Sequence, residues 1–279
     1  MTATPRHAAR VSRVRITAIG PDGVEQRDDT VVGEEPLQIN AAGPGQEPIE
    51  VAVTMRTPGH EDELAIGFLV SEGLIRVDDV VDITYADPAT ASRPDDRITV
   101  HLARPLDVDS VAERRTVATA SCGICGKASI DDVVRRCDPL PDGPEVSAAT
   151  IGALPDALRA AQETFEATGG LHASGLFSAD GRLIVLREDV GRHNALDKLI
   201  GERAMAGALP LHGTILLLSG RVSFELVQKS AAAGIPILAA VGAPTDLAIA
   251  TAEGVGMTLI GFVRGARANV YTRAERVLT

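Results

Sequence analysis

Three apolar segments joined by two helical patterns constrain the fold of this 279-residue chain more than any other feature. Residues 214–218, 235–241 and 258–263 are apolar along nearly their whole length, and 223–233 and 246–253 have helical character. Strands of this kind, separated by helices of crossover length, are typical of a parallel sheet covered on both faces. We therefore predict an α/β domain with a parallel βαβαβ core.

The first 110 or so residues have a different pattern. Apolar residues alternate with polar ones over 14–18, 49–55 and 98–102, which predicts half-buried strands. Residues 60–75 carry helical spacing after an acidic start, so we predict one helix there. A Pro- and Gly-containing break follows at 138–144.

These changes of pattern define four parts of the chain. Pro155 predicts the start of a helix that ends before Gly169, since Pro favours first helical positions and Gly favours the residue after a helix. We predict a flexible tail over residues 1–10, a strand-rich N-terminal region with one helix over 11–115, a CxxC loop and linker over 116–144, and an α/β domain over 145–279.

Composition excludes several classes of protein. The net charge is −11 and aromatic residues make up 3% of the chain, which disfavours binding to nucleic acid or to an anionic membrane. No apolar stretch approaches the roughly 20 residues needed to span a bilayer, and residues 1–10 lack a secretory apolar core. Three cysteines do not make a secreted disulfide framework, so we expect a cytoplasmic protein with reduced thiols.

Cys122 and Cys125 form a Gly-flanked CxxC pair in the segment SCGICG over 121–126. A cysteine is nucleophilic only as a thiolate, and a flexible Gly-flanked loop exposes the sulfur. Three functions fit this spacing: half of a structural zinc site, a dithiol–disulfide redox pair, or a persulfide carrier in which one thiol accepts a sulfur atom and passes it on.

A zinc site is the least supported of the three. Zinc deaminases carry His-x-Glu and Pro-Cys-x-x-Cys, but no histidine here is followed two positions later by Glu, and Ser121 stands where Pro would be. A second CxxC is also absent from the sequence. We predict no bound metal, and we interpret Cys137 as a small buried hydrophobic residue.

Further polar motifs lie where strands give way to helices. In residues 188–198, Asp189 or Asn194 is expected to cap a helix, whereas Arg192 and His193 at the helix start are candidates to hold an anion or move a proton. The segment Ser-Gly-Arg over 219–221 follows a predicted parallel strand, at the edge where open α/β sheets bind ligands.

The last motif follows the final apolar strand. Arg264 and Arg267 lie in the Gly-containing segment 261–267, where guanidinium groups and backbone N–H groups are candidates to bind phosphate. A solvated basic turn is the alternative interpretation of the same residues.

Taken together, these segments resemble the FdhD/NarQ family of formate dehydrogenase accessory sulfurtransferases. The matching stretches occur in order and cover most of the chain from residue 50: RTPGHEDELAIGFLVSEGLI (56–75), SCGICG (121–126), TGGLHASGLF (168–177), EDVGRHNALDKLIG (188–201), SGRVSFELVQKSAAAGIPIL (219–238) and GFVRGARANVYT (261–272).

The resemblance implies a cytoplasmic homodimer with a cytidine-deaminase-like, three-layer C-terminal domain. It also implies a role: a cysteine desulfurase supplies sulfur as a persulfide, which is passed to the molybdenum bis(molybdopterin guanine dinucleotide) cofactor that formate dehydrogenase requires. The cofactor would be a client that is not permanently bound, and we expect GDP to bind as a fragment of it.

The resemblance further assigns roles to individual residues. Cys122 matches the family's persulfide-carrying cysteine, and Cys125 matches its CxxC partner. The segment matched to cofactor binding comprises Phe262, Val263, Arg264, Gly265, Ala266 and Arg267. Two other functions remain open at this point: a cofactor-binding chaperone whose thiols do no chemistry, and a thiol–disulfide oxidoreductase.

Overall fold

The computed structural model describes residues 10–21, 23–87, 94–111 and 139–279. We call strands β1–β6 with helix α1 the N-terminal lobe, and the elements from β7 onward the C-terminal lobe. The CxxC segment and residues 1–9 of the predicted tail over 1–10 lie outside the described residues. The domain boundaries stay a prediction.

The N-terminal lobe combines a β-hairpin, a four-stranded sheet and a helix, with short helical turns over 77–79, 94–96 and 108–111. In the sheet the order is β4-β3-β6-β5, and the apolar side chains of one face pack against α1. The elements are β1 Val11–Gly20, β2 Gly23–Val32, β3 Glu35–Ala42, β4 Ile49–Arg56, α1 Glu61–Ser71, β5 Val80–Tyr85 and β6 Arg97–Leu102.

The C-terminal lobe is built on a six-stranded sheet of order β13-β12-β11-β10-β8-β9. Strands β10, β11 and β12 are parallel neighbours joined through α5 and α6, which confirms the predicted βαβαβ core. The elements are β7 Val146–Ser147, α2 Ala148–Ala161, α3 Glu163–Thr168, β8 His172–Ser178, β9 Leu183–Asp189, α4 Arg192–Met205, β10 Thr214–Leu218, α5 Phe224–Ala232, β11 Ile237–Ala240, α6 Asp246–Gly254, β12 Thr258–Arg264, β13 Arg267–Val270 and β14 Val277–Leu278.

Helices cover both faces of this sheet. Buried side chains of α4, α5 and α6 share one apolar cluster with Leu216, Leu218 and Leu238, while α2 packs on the opposite face against Ile215 and Leu217. The sheet is mixed rather than wholly parallel, because β8 runs antiparallel to both β9 and β10 and β13 runs antiparallel to β12. The chain is therefore an α/β protein with several sheets.

The predicted helix start at Pro155 is wrong. Helix α2 begins at Ala148, where Ser147 caps it by accepting the N–H of Thr150 (3.0 Å), and Pro155 lies inside the helix. The predicted single helix is also interrupted at Gln162, where α2 ends and α3 begins. The predicted end at Thr168 is correct, since Gly169 follows α3 in the left-handed conformation (φ 68°) that glycine adopts without steric cost.

Buried charges join the two lobes along α1 and α4. Lys229, which is 4% exposed, binds the Asp197 carboxylate (2.9 Å) and also Glu72 (2.8 Å). Burial lowers the pKa of Lys229, but the two carboxylates outweigh it and raise that pKa overall. Ser71 of α1 donates to Asp197 (2.7 Å), so the N-terminal lobe supplies part of a polar cluster that neither lobe completes alone.

Candidate functional site

The predicted catalytic cysteines, Cys122 and its CxxC partner Cys125, lie in segment 112–138, outside the described residues, as does Cys137. The described ranges therefore bear only on the other predicted site residues. Those residues fall on one edge of the C-terminal sheet and on the hairpin that extends from it.

Strands β9, β10, β11 and β12 all end at the same edge, which we call the carboxyl edge. Backbone hydrogen bonds link its loops in sequence: Gly242 N–H donates to the Gly220 carbonyl (3.1 Å), and Phe262 N–H donates to the Gly242 carbonyl (3.1 Å). Helices α4, α5 and α6 begin directly after three of these strands, so three helix N-termini lie here. Such an edge attracts anions, because unpaired N–H groups and helix dipoles converge on it.

His193, in the first turn of α4, connects two of these helix starts. Its Nε2 lies 2.8 Å from a carboxylate oxygen of Glu225 and 3.2 Å from the Ser223 hydroxyl, both at the start of α5. The hydrogen bond with His193 holds the pKa of Glu225 below its usual range, although burial opposes that shift. This pair is suited to holding or relaying a proton at the carboxyl edge.

His172 reaches the same edge from the start of β8. A Cβ added to Gly220 would lie 3.2 Å from the His172 Nδ1, so any larger residue would make a tight contact with the ring. Burial, with the positive charges of Arg192 and His193, lowers the pKa of His172 and favours its neutral imidazole. Among the described residues, the Nε of Arg192 is one of the buried side-chain nitrogens that have no hydrogen-bond partner.

Asp189 does more than the predicted helix cap. One carboxylate oxygen accepts the Gly191 N–H (2.8 Å) and the Asn194 side-chain amide (3.1 Å), as a local cap would. The other accepts the Thr57 N–H (3.1 Å) and pairs with Lys198 (2.7 Å). Burial lowers the pKa of Lys198, against the opposing effect of the Asp189 carboxylate.

The segment 262–267 forms a tight β-hairpin between β12 and β13. Arg264 and Arg267 pair across the hairpin, so their side chains share one face, and both are exposed. The ladder is irregular between Gly261 and Arg264, and Phe262 has a φ of 55°, an uncommon and strained conformation for an aromatic residue. Phe262 is 40% exposed, whereas Val263 is fully buried.

The hairpin tip leaves the carboxyl edge and packs on α2. A Cβ at Gly152 would lie 2.2 Å from the Gly265 carbonyl oxygen, and Val263 shares an apolar cluster with Ile151 and Leu154. The six predicted binding residues therefore do not all lie at the same place on the protein. Phe262 lies at the carboxyl edge, and the two arginines lie at the end of a hairpin supported by α2.

Sequence reasoning missed three residues of this region: Thr57, Lys198 and Glu225. In the sequence Thr57 is no more than part of a strand break, and its partners are more than 130 residues away. Glu225 stands two positions after Ser223 on an ordinary helix start, a spacing that carries no chemical signal.

Two kinds of feature are absent from the described ranges. Within residues 10–21, 23–87, 94–111 and 139–279, no group of three or more His, Cys, Asp or Glu side chains is arranged to hold a metal ion. No helix in the same ranges is long and apolar enough to cross a membrane.

Fold and site thus define a two-lobed α/β protein that has a polar carboxyl edge, an arginine hairpin and a Gly-flanked cysteine pair. The chain belongs to the FdhD/NarQ family, whose model matches residues 32–278.

Comparison with individual proteins supports this assignment. A protein of Mycolicibacterium paratuberculosis named sulfur carrier protein FdhD is 49% identical, over 95% of this chain and 98% of that protein. The protein of the same name from Streptomyces avermitilis is 47% identical, over 95% of each chain. The fold is similar to the crystal structure of a proposed formate dehydrogenase accessory protein from Desulfotalea psychrophila, with a TM-score of 0.74 and 26% identity over 97% of this chain and 100% of that one.

Proposed function

We propose that this protein carries sulfur as a persulfide on Cys122 and delivers it to a molybdenum cofactor. The observation that carries the proposal is the 49% and 47% identity, over 95% of this chain, to proteins named sulfur carriers. In the loading step, the Cys122 thiolate attacks the outer sulfur of a donor persulfide. A new S–S bond forms on Cys122, the donor S–S bond breaks, and the donor leaves as a thiolate.

A cysteine desulfurase is the proposed donor, since it bears its product sulfur as a cysteine persulfide. The proposed acceptor is the molybdenum bis(molybdopterin guanine dinucleotide) cofactor of formate dehydrogenase, and the name of the Desulfotalea psychrophila protein supports this client. Reduced thiols are needed throughout, so we place the protein in the cytoplasm.

We propose that the nucleotide tails of the cofactor bind along the carboxyl edge and the hairpin 262–267. The protein carries a net charge of −11, so binding a diphosphate requires donors that converge locally. The buried Nε of Arg192, the helix N-termini and the same-face pair Arg264 and Arg267 are such donors. The strained φ of Phe262 supports a functional role for this segment, because strain persists mainly at such sites.

In this proposal the molybdenum cofactor is cargo rather than a permanently bound group, and GDP is the matching probe. We also propose that the C-terminal lobe is a cytidine-deaminase-like domain. Its sheet with α2 on one face and α4, α5 and α6 on the other supports this classification.

A homodimer is proposed on the evidence of the β1–β2 hairpin. Ile19 and Val24 pair across its tip with 84% and 69% of their surfaces exposed, and a two-stranded sheet alone is marginally stable in water. Burial against a second copy would stabilise it. By sedimentation we expect the wild type to be a dimer and the double variant Ile19→Asn, Val24→Thr to be a monomer. A double variant that stays dimeric would show that the interface lies elsewhere.

Two other functions make different predictions. A cofactor-binding chaperone would bind GDP but take up no sulfur, and a thiol–disulfide oxidoreductase would cycle a Cys122–Cys125 disulfide. The arginine hairpin favours a carrier over a redox protein, which has no use for a nucleotide-binding segment.

The experiment is mass spectrometry after incubation with a cysteine desulfurase and cysteine. We expect an adduct of about 32 Da, one sulfur atom, located on Cys122 and removed by a reductant. The Cys122→Ala protein should show no adduct. An unmodified wild-type protein that still binds GDP would instead indicate a chaperone.

A further inference from the structure

The strand-to-helix turn that presents Arg192 and His193 has no side-chain cap from its own N-cap residue. The N-cap residue of α4 is Gly191, which has no side chain to accept the free N–H groups. The first polar contacts of this turn come instead from Asp189, which is fully buried, and from a segment of the N-terminal lobe.

Thr57 belongs to that segment and makes three hydrogen bonds, two to the turn and one to Lys198 of α4. Its N–H donates to Asp189 (3.1 Å), its hydroxyl accepts the Val190 N–H (3.1 Å), and its carbonyl accepts the Lys198 ammonium (2.8 Å). Thr57, Asp189 and Lys198 are each no more than 1% exposed. Water cannot replace these bonds, so the turn depends on Thr57 for its shape.

Asn194 adds a second link between the same two segments. Its amide donates to the Met55 carbonyl (2.7 Å), and its side-chain oxygen accepts the Thr54 hydroxyl (3.2 Å). Residues 54–57 of the N-terminal lobe therefore bond to both ends of the stretch 189–194. Arg192 and His193 lie inside that stretch, at the carboxyl edge.

We infer that Thr57 is a positioning residue for ligand binding at the carboxyl edge, acting through Asp189 and Lys198 on the start of α4. The N-terminal lobe, which contributes none of the proposed binding groups, thereby sets where Arg192 and His193 lie. The inference rests on the proposed function in one respect, that the edge binds the phosphates of a nucleotide.

The test compares two inter-lobe contacts of similar burial. Thr57→Val keeps the shape of the side chain but removes the acceptor of the Val190 N–H. Ser71→Ala removes the bonds that Ser71 makes to Asp197 (2.7 Å) and Lys229 (2.9 Å), on the same inter-lobe surface but one helical turn further along α4. Both variants should lose stability, so stability alone does not separate a positioning role from a structural one.

Two readouts separate them: the Kd for GDP by calorimetry, and the ring resonances of His193 by NMR without ligand. We expect Thr57→Val to raise the Kd about three- to tenfold and to move the His193 resonances. Ser71→Ala should match the wild type in both, and Thr57→Ser, which keeps the hydroxyl, should restore both.

The inference is overturned if Thr57→Val leaves the His193 resonances unchanged, or if Ser71→Ala moves them equally. A wild-type protein that fails to bind GDP, with the resonance contrast between the two variants intact, would remove the proposed nucleotide site and leave the positioning role standing. The two failures are thus distinguishable.

Discussion

Gly67 and Gly201 lie where α1 crosses α4, each against the backbone of the opposite helix. A Cβ at Gly67 would lie 1.8 Å from the Asp197 carbonyl oxygen, and a Cβ at Gly201 would lie 1.8 Å from that of Glu63. We expect Gly67→Ala to destabilise the protein by about 1–3 kcal/mol, because the helices must move apart. Thermal unfolding measures this. Gly213→Ala, where no atom lies within 4 Å of the added Cβ, is the control and should change little.

Acid sensitivity should arise in part from Glu63. Burial raises its pKa, but hydrogen bonds from Arg187 and His60 outweigh this and lower it from 4.5 to about 2. Because the folded pKa is depressed, the ionised form stabilises the fold above about pH 4.5, and that contribution is lost as the pH falls toward 2.

Glu63→Gln should therefore cost about 1–2 kcal/mol at pH 7, and the difference from wild type should shrink between pH 4.5 and 2. Denaturant unfolding across that range measures it. Glu166→Gln, which breaks an exposed pair with Arg159, is the control and should have little effect at any pH. A difference in the free energy of unfolding between wild type and Glu63→Gln that stays constant with pH would show that Glu63 contributes through packing alone.

Binding of GDP should depend on the two hairpin arginines. Hydrogen bonds to charged groups contribute about 1.5–3 kcal/mol each, so loss of one arginine should weaken binding about tenfold to a hundredfold. Calorimetry on the double variant Arg264→Ala, Arg267→Ala measures the combined loss of affinity for GDP.

The control for that variant is Arg97→Ala, Arg182→Ala, which removes the same charge from β6 and from the β8–β9 turn. Added salt should weaken wild-type binding. Equal affinity in the wild type and the hairpin variant would leave residues 264–267 as a solvated basic turn.

The three cysteines should differ in their effect on sulfur transfer. Cys122→Ala should abolish it, because no other residue is proposed to bear the persulfide. Cys125→Ala should reduce it less, since a carrier needs one nucleophile, and Cys137→Ala should transfer normally. Desulfurase-coupled sulfur transfer measures all three. Equal losses for Cys122 and Cys125, with a disulfide between them during turnover, would favour the redox function.

Local patterns were sufficient to predict much of the C-terminal sheet. Strand β10 spans Thr214–Leu218 as predicted, and α5 and α6 end within one residue of their predicted ends, because the apolar and helical patterns of these segments are local in the sequence. Pro155 was misleading since Ser147, several residues earlier, supplies a stronger start signal.

Only the contacts of Asp189 with residues near it in the sequence could be predicted. Its bonds to Gly191 and Asn194 follow from sequence proximity, whereas Thr57 is 132 residues away and lies in a different lobe. No periodicity or motif encodes such a pair. For the same reason, the sequence predicted a turn at Arg264 and Arg267 but did not predict that they pair across a hairpin or that this hairpin packs on α2.

The shared polar surface between the lobes has a consequence for synthesis of the chain. Residues 54–72 emerge from the ribosome well before their partners, since Lys229 follows Ser71 by 158 residues. The N-terminal lobe consequently cannot complete its polar contacts until residues 189–229 have been made, and its polar groups stay hydrated until then. Assembly of the carboxyl edge is thus a late event in synthesis, completed only when the N-terminal lobe packs against the C-terminal lobe.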